Sequence, residues 1–197
     1  MPLHYFAIYK PYMMICQFTP EQDGDVTLAD FPFDFPKDCY TVGRLDKDSE
    51  GLLLLTNDNY LKNQFLSPKF RHSKTYFAQV EGAPNEAAIA QLQKGVNIKI
   101  KGKAYLTAPA KVRAIVDPTL PDRDPPIRYR ANIPTSWLSI TLTEGKNRQV
   151  RRMCAAVGFP VLRLVRFGLE GLTLEEIPAG GAKSFSKKEI YELLGIV

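Results

Sequence analysis

Leu52-Leu53-Leu54-Leu55 is an unbroken apolar run entered from Gly43-Arg44-Leu45-Asp46 and Lys47-Asp48-Ser49-Glu50-Gly51. A short apolar run behind a cluster of Gly, Asp and Ser reads as a buried strand fed by a turn. Any fold for this chain must cover that strand and must set the Asp46 carboxylate beside the Arg44 guanidinium at a sharp backbone event. Two readings of Asp46 are open. It is an ordinary charged turn residue, or it is a nucleophile or general base, which stays ionised when partly buried only beside a cation or several N–H donors.

The 197 residues are 45% hydrophobic and 24% charged, which fits one globular domain or two small lobes and argues against disorder. A formal charge of +5 favours an anionic partner. Cys16, Cys39 and Cys154 are odd in number and widely spaced, so free or buried thiols in a reducing compartment are expected and no disulfide framework is. The first fourteen residues lack a basic n-region and a long apolar h-region, and no window approaches a membrane span. The expectation is a cytoplasmic protein that is not bound to a membrane.

Tyr5 to Tyr9 reads as a strand ending at Lys10-Pro11, and Met13 to Cys16 as a second short strand. Asn57-Asp58-Asn59 turns the chain and caps a helix bearing Leu61, Phe65 and Leu66, which stops before Pro68. Lys74 to Val80 alternates, placing Tyr76 on one face with Ala78 and Val80. Pro84-Asn85-Glu86 opens a helix that Gly95 ends, and Lys99 to Arg113 reads as a hairpin or pair of strands. Residues 117–134 hold five prolines and read as a loop in which Arg123, Arg128 and Arg130 are candidate phosphate contacts or simply solvated. Trp137 to Leu142 is an alternating strand with Trp137 in the core, and Ser186-Lys187-Lys188-Glu189 is a capping box before the last helix. Strands outnumber helices without regular βαβ alternation, which predicts an α+β fold on a mixed, mostly antiparallel sheet.

Residues 144–158 form the second focus. Val150, Met153, Cys154 and Val157 follow a helical stripe, with Arg148, Arg151 and Arg152 on another face within one turn; Asn147 is the expected N-cap and Gly158 the stop. Guanidiniums this close repel unless an anion sits among them. With Lys146, Arg163 and Arg166 flanking, the cluster points to a phosphate-rich or carboxylate partner rather than a solvated basic face.

Four segments now match a family. Lys10-Pro11, Gly43-Arg44-Leu45-Asp46, Lys74-Thr75-Tyr76 and Gly145-Lys146-Asn147-Arg148-Gln149-Val150-Arg151-Arg152-Met153 resemble, in order, the motifs of the RsuA/RluA superfamily of RNA pseudouridine synthases. Gln-Val-Arg-Arg-Met and Asp-Ser-Glu-Gly-Leu-Leu look like the RsuA branch. Pro125-Pro126-Ile127-Arg128 and Ile133-Pro134-Thr135-Ser136-Trp137-Leu138 look most like its E type, whose members modify a single uridine of large-subunit ribosomal RNA. Many RsuA-branch enzymes carry an N-terminal S4 RNA-binding domain. Here the first motif begins within ten residues of Met1, so a single catalytic domain over 1–197, without an S4 domain, is expected.

The resemblance implies the pseudouridine synthase fold, with two lobes and a central active-site cleft. It implies a cofactor-free and metal-free isomerase acting on ribosomal RNA, either large-subunit RNA or its assembly intermediate, as a monomer. Asp46 would be the essential carboxylate, attacking or deprotonating the sugar or base. Arg151 would pair with Asp46 and hold it ionised. Tyr76 would stack on the uracil and accept or relay the C5 proton, and Val150 would close the other side. Arg44 would steer the flipped nucleotide or fill its place. Lys10 is a motif residue assigned to the substrate site, and Arg148 and Arg152 would contact the RNA backbone.

Rival readings use the same residues. A hydrolase could pair Asp46 with Asp48 or Glu50, since glycosidase carboxyls lie roughly 5 to 9.5 Å apart, yet no sugar platform accompanies them. A non-catalytic ribosome-assembly factor would use the basic surface alone. A synthase acting on small-subunit RNA is the third.

Overall fold

The computed structural model describes residues 2–127, 130, 133–178 and 180–196. In chain order its elements are β1 (Tyr5–Lys10), β2 (Tyr40–Thr41), β3 (Glu50–Thr56), α1 (Asn59–Leu66), β4 (Lys74–Glu81), α2 (Glu86–Lys94), β5 (Asn97–Ile100), β6 (Lys103–Leu106), β7 (Lys111–Ile115), β8 (Thr135–Leu142), α3 (Gln149–Ala156), β9 (Val161–Leu169), β10 (Leu172–Thr173), β11 (Ala182–Ser184) and α4 (Lys187–Leu193). They group into two compact units, one of residues 1–72 with 166–197 and one of residues 73–165. The fold class is α+β, as the element pattern predicts.

In the first unit β1 lies between β11 and β3, antiparallel to both, with β2 on the other edge of β3. All seven residues of β3 are buried, and Leu52 to Leu55 have no exposed surface at all. Burial of each leucine contributes roughly 1.5–3 kcal/mol, so this strand anchors the unit and fixes where the turn before it must lie. Asp58 caps α1 as expected, with Leu61 and Phe65 buried beneath and Leu66 exposed. Ser186 and Glu189 form the expected capping box on α4.

Met13 to Cys16 is not a strand. Met13 is left-handed, at φ +63°, and the segment makes only an isolated parallel bridge from Met14 to Val26. Its N–H groups go elsewhere, from Met13 to the Lys47 carbonyl and from Ile15 to the Val26 carbonyl.

In the second unit β8 lies between β4 and β7, again antiparallel to both, and β5 and β6 form a separate hairpin. Ala78, Val80, Leu138, Ile140 and Leu142 line one face of the sheet, where they pack with Leu92 of α2, Ile98 of β5, and Val150, Met153 and Cys154 of α3. The alternation read in β4 and β8 therefore names the core face correctly, and Trp137 is buried too. Asn85 caps α2 and Gly95 ends it. The three cysteines are free and buried.

Candidate active site

The chain reaches the first motif from Val42, whose N–H donates to the Leu54 carbonyl at 2.7 Å. Gly43 then takes φ +74°, a torsion for which the backbone favours glycine, and a Cβ there would stand 3.2 Å from Leu66 Cδ2. Asp46 is half-buried, and its carbonyl accepts the Ser49 N–H at 3.0 Å, closing the turn that feeds β3.

Both neighbours of Asp46 are held. On one side the Leu45 N–H donates to Cys16 Sγ at 3.2 Å, and the Cys16 thiol donates to the Leu45 carbonyl at 3.4 Å. On the other side the Lys47 carbonyl accepts the Met13 N–H at 2.9 Å and Lys10 Nζ at 3.5 Å. The Lys47 ammonium meets Asp25 at 2.5 Å, and the second Asp25 oxygen takes the N–H groups of Glu21 and Gln22. The hydrogen bond from Lys47, with those from the backbone, holds the Asp25 carboxyl below the usual carboxylate range. Cys16 and Asp25 hold the neighbours of Asp46, and motif reading did not single them out. No local pattern announces them, because their partners are 29 and 22 positions away.

Arg44 is exposed and stands 4.0 Å from Glu21, an exposed pair that binds only weakly and leaves the guanidinium at the surface. Lys10 is placed differently. It has no exposed surface, and its ammonium donates to the carbonyls of Pro11 at 2.8 Å and Met14 at 2.7 Å as well as to Lys47. Burial lowers its pKa to about 8. In this arrangement its cation braces the backbone beside Asp46 rather than meeting a ligand in solvent.

In the second unit Tyr76 stands on β4 opposite Ile140 of β8, half-buried against the core cluster. Val150, in the first turn of α3, is itself part of that core, 4% exposed, and seats the helix there. The N-cap of α3 is Arg148, left-handed at φ +51°, and not Asn147. The Asn147 side-chain oxygen instead accepts a hydrogen bond from Arg152.

The start of α3 is fixed by Gln149, whose side-chain oxygen takes the Lys146 N–H and whose amide donates to Glu144. Glu144 also accepts from the Tyr105 hydroxyl at 2.5 Å and the Ala108 N–H at 2.9 Å. Partial burial would raise the pKa of this carboxyl, but those hydrogen bonds hold it below its ordinary value.

Arg151 is half-buried and reaches the Val161 carbonyl at 3.4 Å. Arg152 donates to the Lys99 carbonyl. Arg163 and Arg166, expected to extend the basic face, are buried and donate to the carbonyls of Pro121 and Leu52. Of the loop arginines, Arg123 turns to the Pro125 carbonyl, Arg130 pairs with Glu81 at 3.0 Å, and Arg128 lies outside the described residues.

Lys10, Arg44 and Asp46 thus belong to one unit, and Tyr76, Arg148, Val150, Arg151 and Arg152 to the other. Among the described residues no cluster of three or more His, Cys, Asp or Glu is arranged to hold a metal ion.

The family model for RNA pseudouridylate synthase matches residues 4–156, a span that contains all four motifs. The chain belongs to the RNA pseudouridylate synthase family. It is an isomerase that converts uridine to pseudouridine. The synthase is similar to Ribosomal large subunit pseudouridine synthase E of Vibrio vulnificus (strain CMCP6), 52% identical over 178 residues that cover 90% of this chain and 73% of that protein. It is also similar to the protein of the same name from Xanthomonas axonopodis pv. citri (strain 306), 46% identical over 85% of this chain and 86% of that one. Among solved structures, a crystal structure of a pseudouridylate synthase superposes with a TM-score of 0.78 at 29% identity, covering 98% of this chain and 74% of that one. The α+β architecture of the synthase is the one expected from its motifs.

Proposed function

We propose that this synthase isomerises a specific uridine of large-subunit ribosomal RNA, as a single catalytic domain acting through Asp46 without a cofactor. The observation that carries the reading is the placement of Asp46. Its carboxylate follows a glycine-dependent turn, and both flanking residues are tied down by partners distant in sequence. A group that must meet one atom of a flipped nucleotide gains rate from being fixed before the nucleotide arrives. The names of the two relatives from Vibrio vulnificus and Xanthomonas axonopodis support the large-subunit assignment.

The reaction conserves all atoms. The N1–C1′ bond breaks, uracil turns, C5 joins C1′, and the proton on C5 is exchanged for one on N1. Asp46 is the carboxylate of this sequence, and Tyr76 offers a half-buried ring for the uracil face. Arg151 serves as the charged partner of the reaction, and Arg44, with its exposed guanidinium, steers the extruded nucleotide. Arg148 and Arg152 supply backbone contacts. Lys10 and Val150 act from the interior, as supports for the Asp46 loop and for α3. The proposed setting is a cytoplasmic monomer. No helix among the described residues is long and apolar enough to cross a membrane.

Carbodiimide mapping of pseudouridine in both ribosomal RNAs tests this, using cells with the gene intact, deleted, or restored with Asp46→Asn. One large-subunit position should vanish on deletion and stay absent with the variant. Loss of a small-subunit position would move the substrate, and rescue by Asp46→Asn would remove the carboxylate from the mechanism.

A further inference from the structure

Residues 86–116 contain Lys94, Lys99, Lys101, Lys103, Lys111 and Arg113 against Glu86 alone. That excess equals the formal +5 of the whole chain, so the rest of the protein is balanced. The charge therefore has an address, and it is not one of the family motifs.

Three of these cations crowd the tip of the β5–β6 hairpin. Lys99 pairs with Ala104 and Ile100 with Lys103, which leaves Lys101 and Gly102 as a two-residue turn. Lys99, Lys101 and Lys103 are all exposed, and no carboxylate of the described residues forms an ion pair with any of them. Lys101 sits at φ +47° and Gly102 at φ +79°. A turn with both central residues left-handed favours Asn or Asp followed by Gly, and lysine is a poor choice for its backbone. Local conformation thus does not account for a lysine here.

The hairpin is also fastened. Ile98 on its inner face belongs to the core that holds Val150 and Met153 of α3. The Arg152 guanidinium is seated on the Lys99 carbonyl, and the Lys146 ammonium stands 5.0 Å from the centre of the Tyr105 ring. The tip lysines and the cations of the third motif consequently form one surface. Lys111 and Arg113 stand on β7 at positions opposite in facing to the buried Val112, away from it. The cations of the tip, gathered with those of the third motif, repel one another and attract a polyanion.

We propose that the β5–β6 hairpin is a phosphate-contacting arm, binding the RNA backbone through Lys99, Lys101 and Lys103 together with Arg152. This rests on the reading of an RNA substrate but not on which ribosomal RNA it is. The arm supplies sequence-independent affinity, and the base-specific part of recognition lies elsewhere.

The test is the salt dependence of binding by the full-length protein. Fluorescence anisotropy with a labelled transcript spanning the mapped uridine is followed from 50 to 300 mM salt. Each phosphate contact contributes about 0.7 to 0.9 to the slope of log affinity against log salt. Lys99→Gln/Lys101→Gln/Lys103→Gln should flatten the slope by about 2 to 3 and weaken binding about tenfold or more at 100 mM salt. Lys111→Gln/Arg113→Gln, on the other face, should leave the slope unchanged.

Lys101→Asn guards against misfolding, because asparagine suits the left-handed position. It should keep or raise the melting temperature and still lower the slope by about 0.7 to 0.9. An unchanged slope in the triple variant overturns the arm, and so does an equal loss in the β7 control. If mapping assigns the uridine to another RNA, the titration is run on that RNA, so failure of the large-subunit reading and failure of the arm are told apart.

Discussion

The Cys16 sulfur bridges both backbone polar groups of Leu45, accepting its N–H at 3.2 Å and donating to its carbonyl at 3.4 Å. Leu45 is the residue before Asp46, so a buried thiol sets the peptide plane from which the carboxylate projects. Serine keeps a donor and an acceptor at this position, whereas valine keeps apolar bulk and neither hydrogen bond. If the bridge aims Asp46, Cys16→Ser should retain most of the wild-type kcat. Cys16→Val should lose about tenfold, a loss of roughly 1.4 kcal/mol in transition-state stabilisation, with KM little changed. Steady-state kinetics on the mapped RNA decides, because a purely packing role for Cys16 predicts the reverse order.

Glu144 plays the corresponding part for α3. Its carboxylate collects Tyr105, Ala108 and Gln149, and Gln149 in turn holds the Lys146 N–H. Because the folded pKa lies below the ordinary value, this group stabilises the fold above about pH 4.5, and the gain is lost as pH falls through its folded pKa. Glu144→Gln should therefore melt below wild type at pH 7, with the difference shrinking as pH is lowered toward 4. A difference that is constant over that range would show that the carboxylate's charge is not what holds Gln149.

What the sequence made legible is what depends on near neighbours. The buried leucine strand, the Asp58 and Asn85 caps, the Ser186–Glu189 box and the core face of β4 and β8 each rest on residues within a few positions of one another. The four motif segments were legible as a set only through their resemblance to a family, since they lie far apart along the chain. Where the partner is distant, reading failed. Met13 to Cys16 has strand composition, but its hydrogen bonds go to Val26, Leu45 and Lys47. Asn147 is a good cap by type, yet Gln149 takes the Lys146 N–H and Asn147 turns to Arg152. Arg163 and Arg166 look like surface cations until the carbonyls that receive them are known. Lys99, Lys101 and Lys103 are alternate residues in the sequence, and it is the hairpin register that sets them at one exposed tip.

Asp58 supports a stability prediction. One carboxylate oxygen takes the Tyr60 and Leu61 N–H groups as helix cap, and the other takes the hydroxyls of Tyr5 at 2.6 Å and Tyr191 at 2.7 Å. Burial and these contacts with Asp58 raise the pKa of both phenols. Asparagine can keep the cap but not the anion. Asp58→Asn should cost about 1–2 kcal/mol in urea unfolding, Tyr191→Phe about 1, and Asp58→Ala about 3. A double-mutant cycle between Tyr5→Phe and Tyr191→Phe should show coupling, since both hydroxyls share one oxygen. Strict additivity would mean that the shared oxygen transmits nothing between β1 and α4.

Lys10 yields the alkaline prediction. Burial, opposed by Cys16, Glu50 and Asp48, brings its ammonium from 10.5 to about 8. Below about pH 8 the folded and unfolded chains both carry this charge, and the cost of burying it is fully present. Between about 8 and 10.5 the folded chain releases a proton that the unfolded chain keeps, so the stability owed to Lys10 rises with pH. The buried thiols act in the opposite sense. Burial, aided at Cys39 by Asp38, pushes Cys39 up to about 11, and burial pushes Cys154 up to about 12. The unfolded chain therefore ionises these groups first, and stability falls as pH rises past 9. Comparing wild type with Lys10→Met separates the two effects, because both proteins share the thiols. At pH 7 the variant should be less stable by about 1–3 kcal/mol, since the Pro11 and Met14 carbonyls lose their donor. From pH 8 to 9.5 the gap should widen by about 1–2 kcal/mol, as one proton per molecule is released on the wild-type side alone. Parallel curves for the two proteins over that range would show that the ammonium keeps its ordinary affinity for its proton. Its bonds to the three carbonyls would then offset the whole cost of burial.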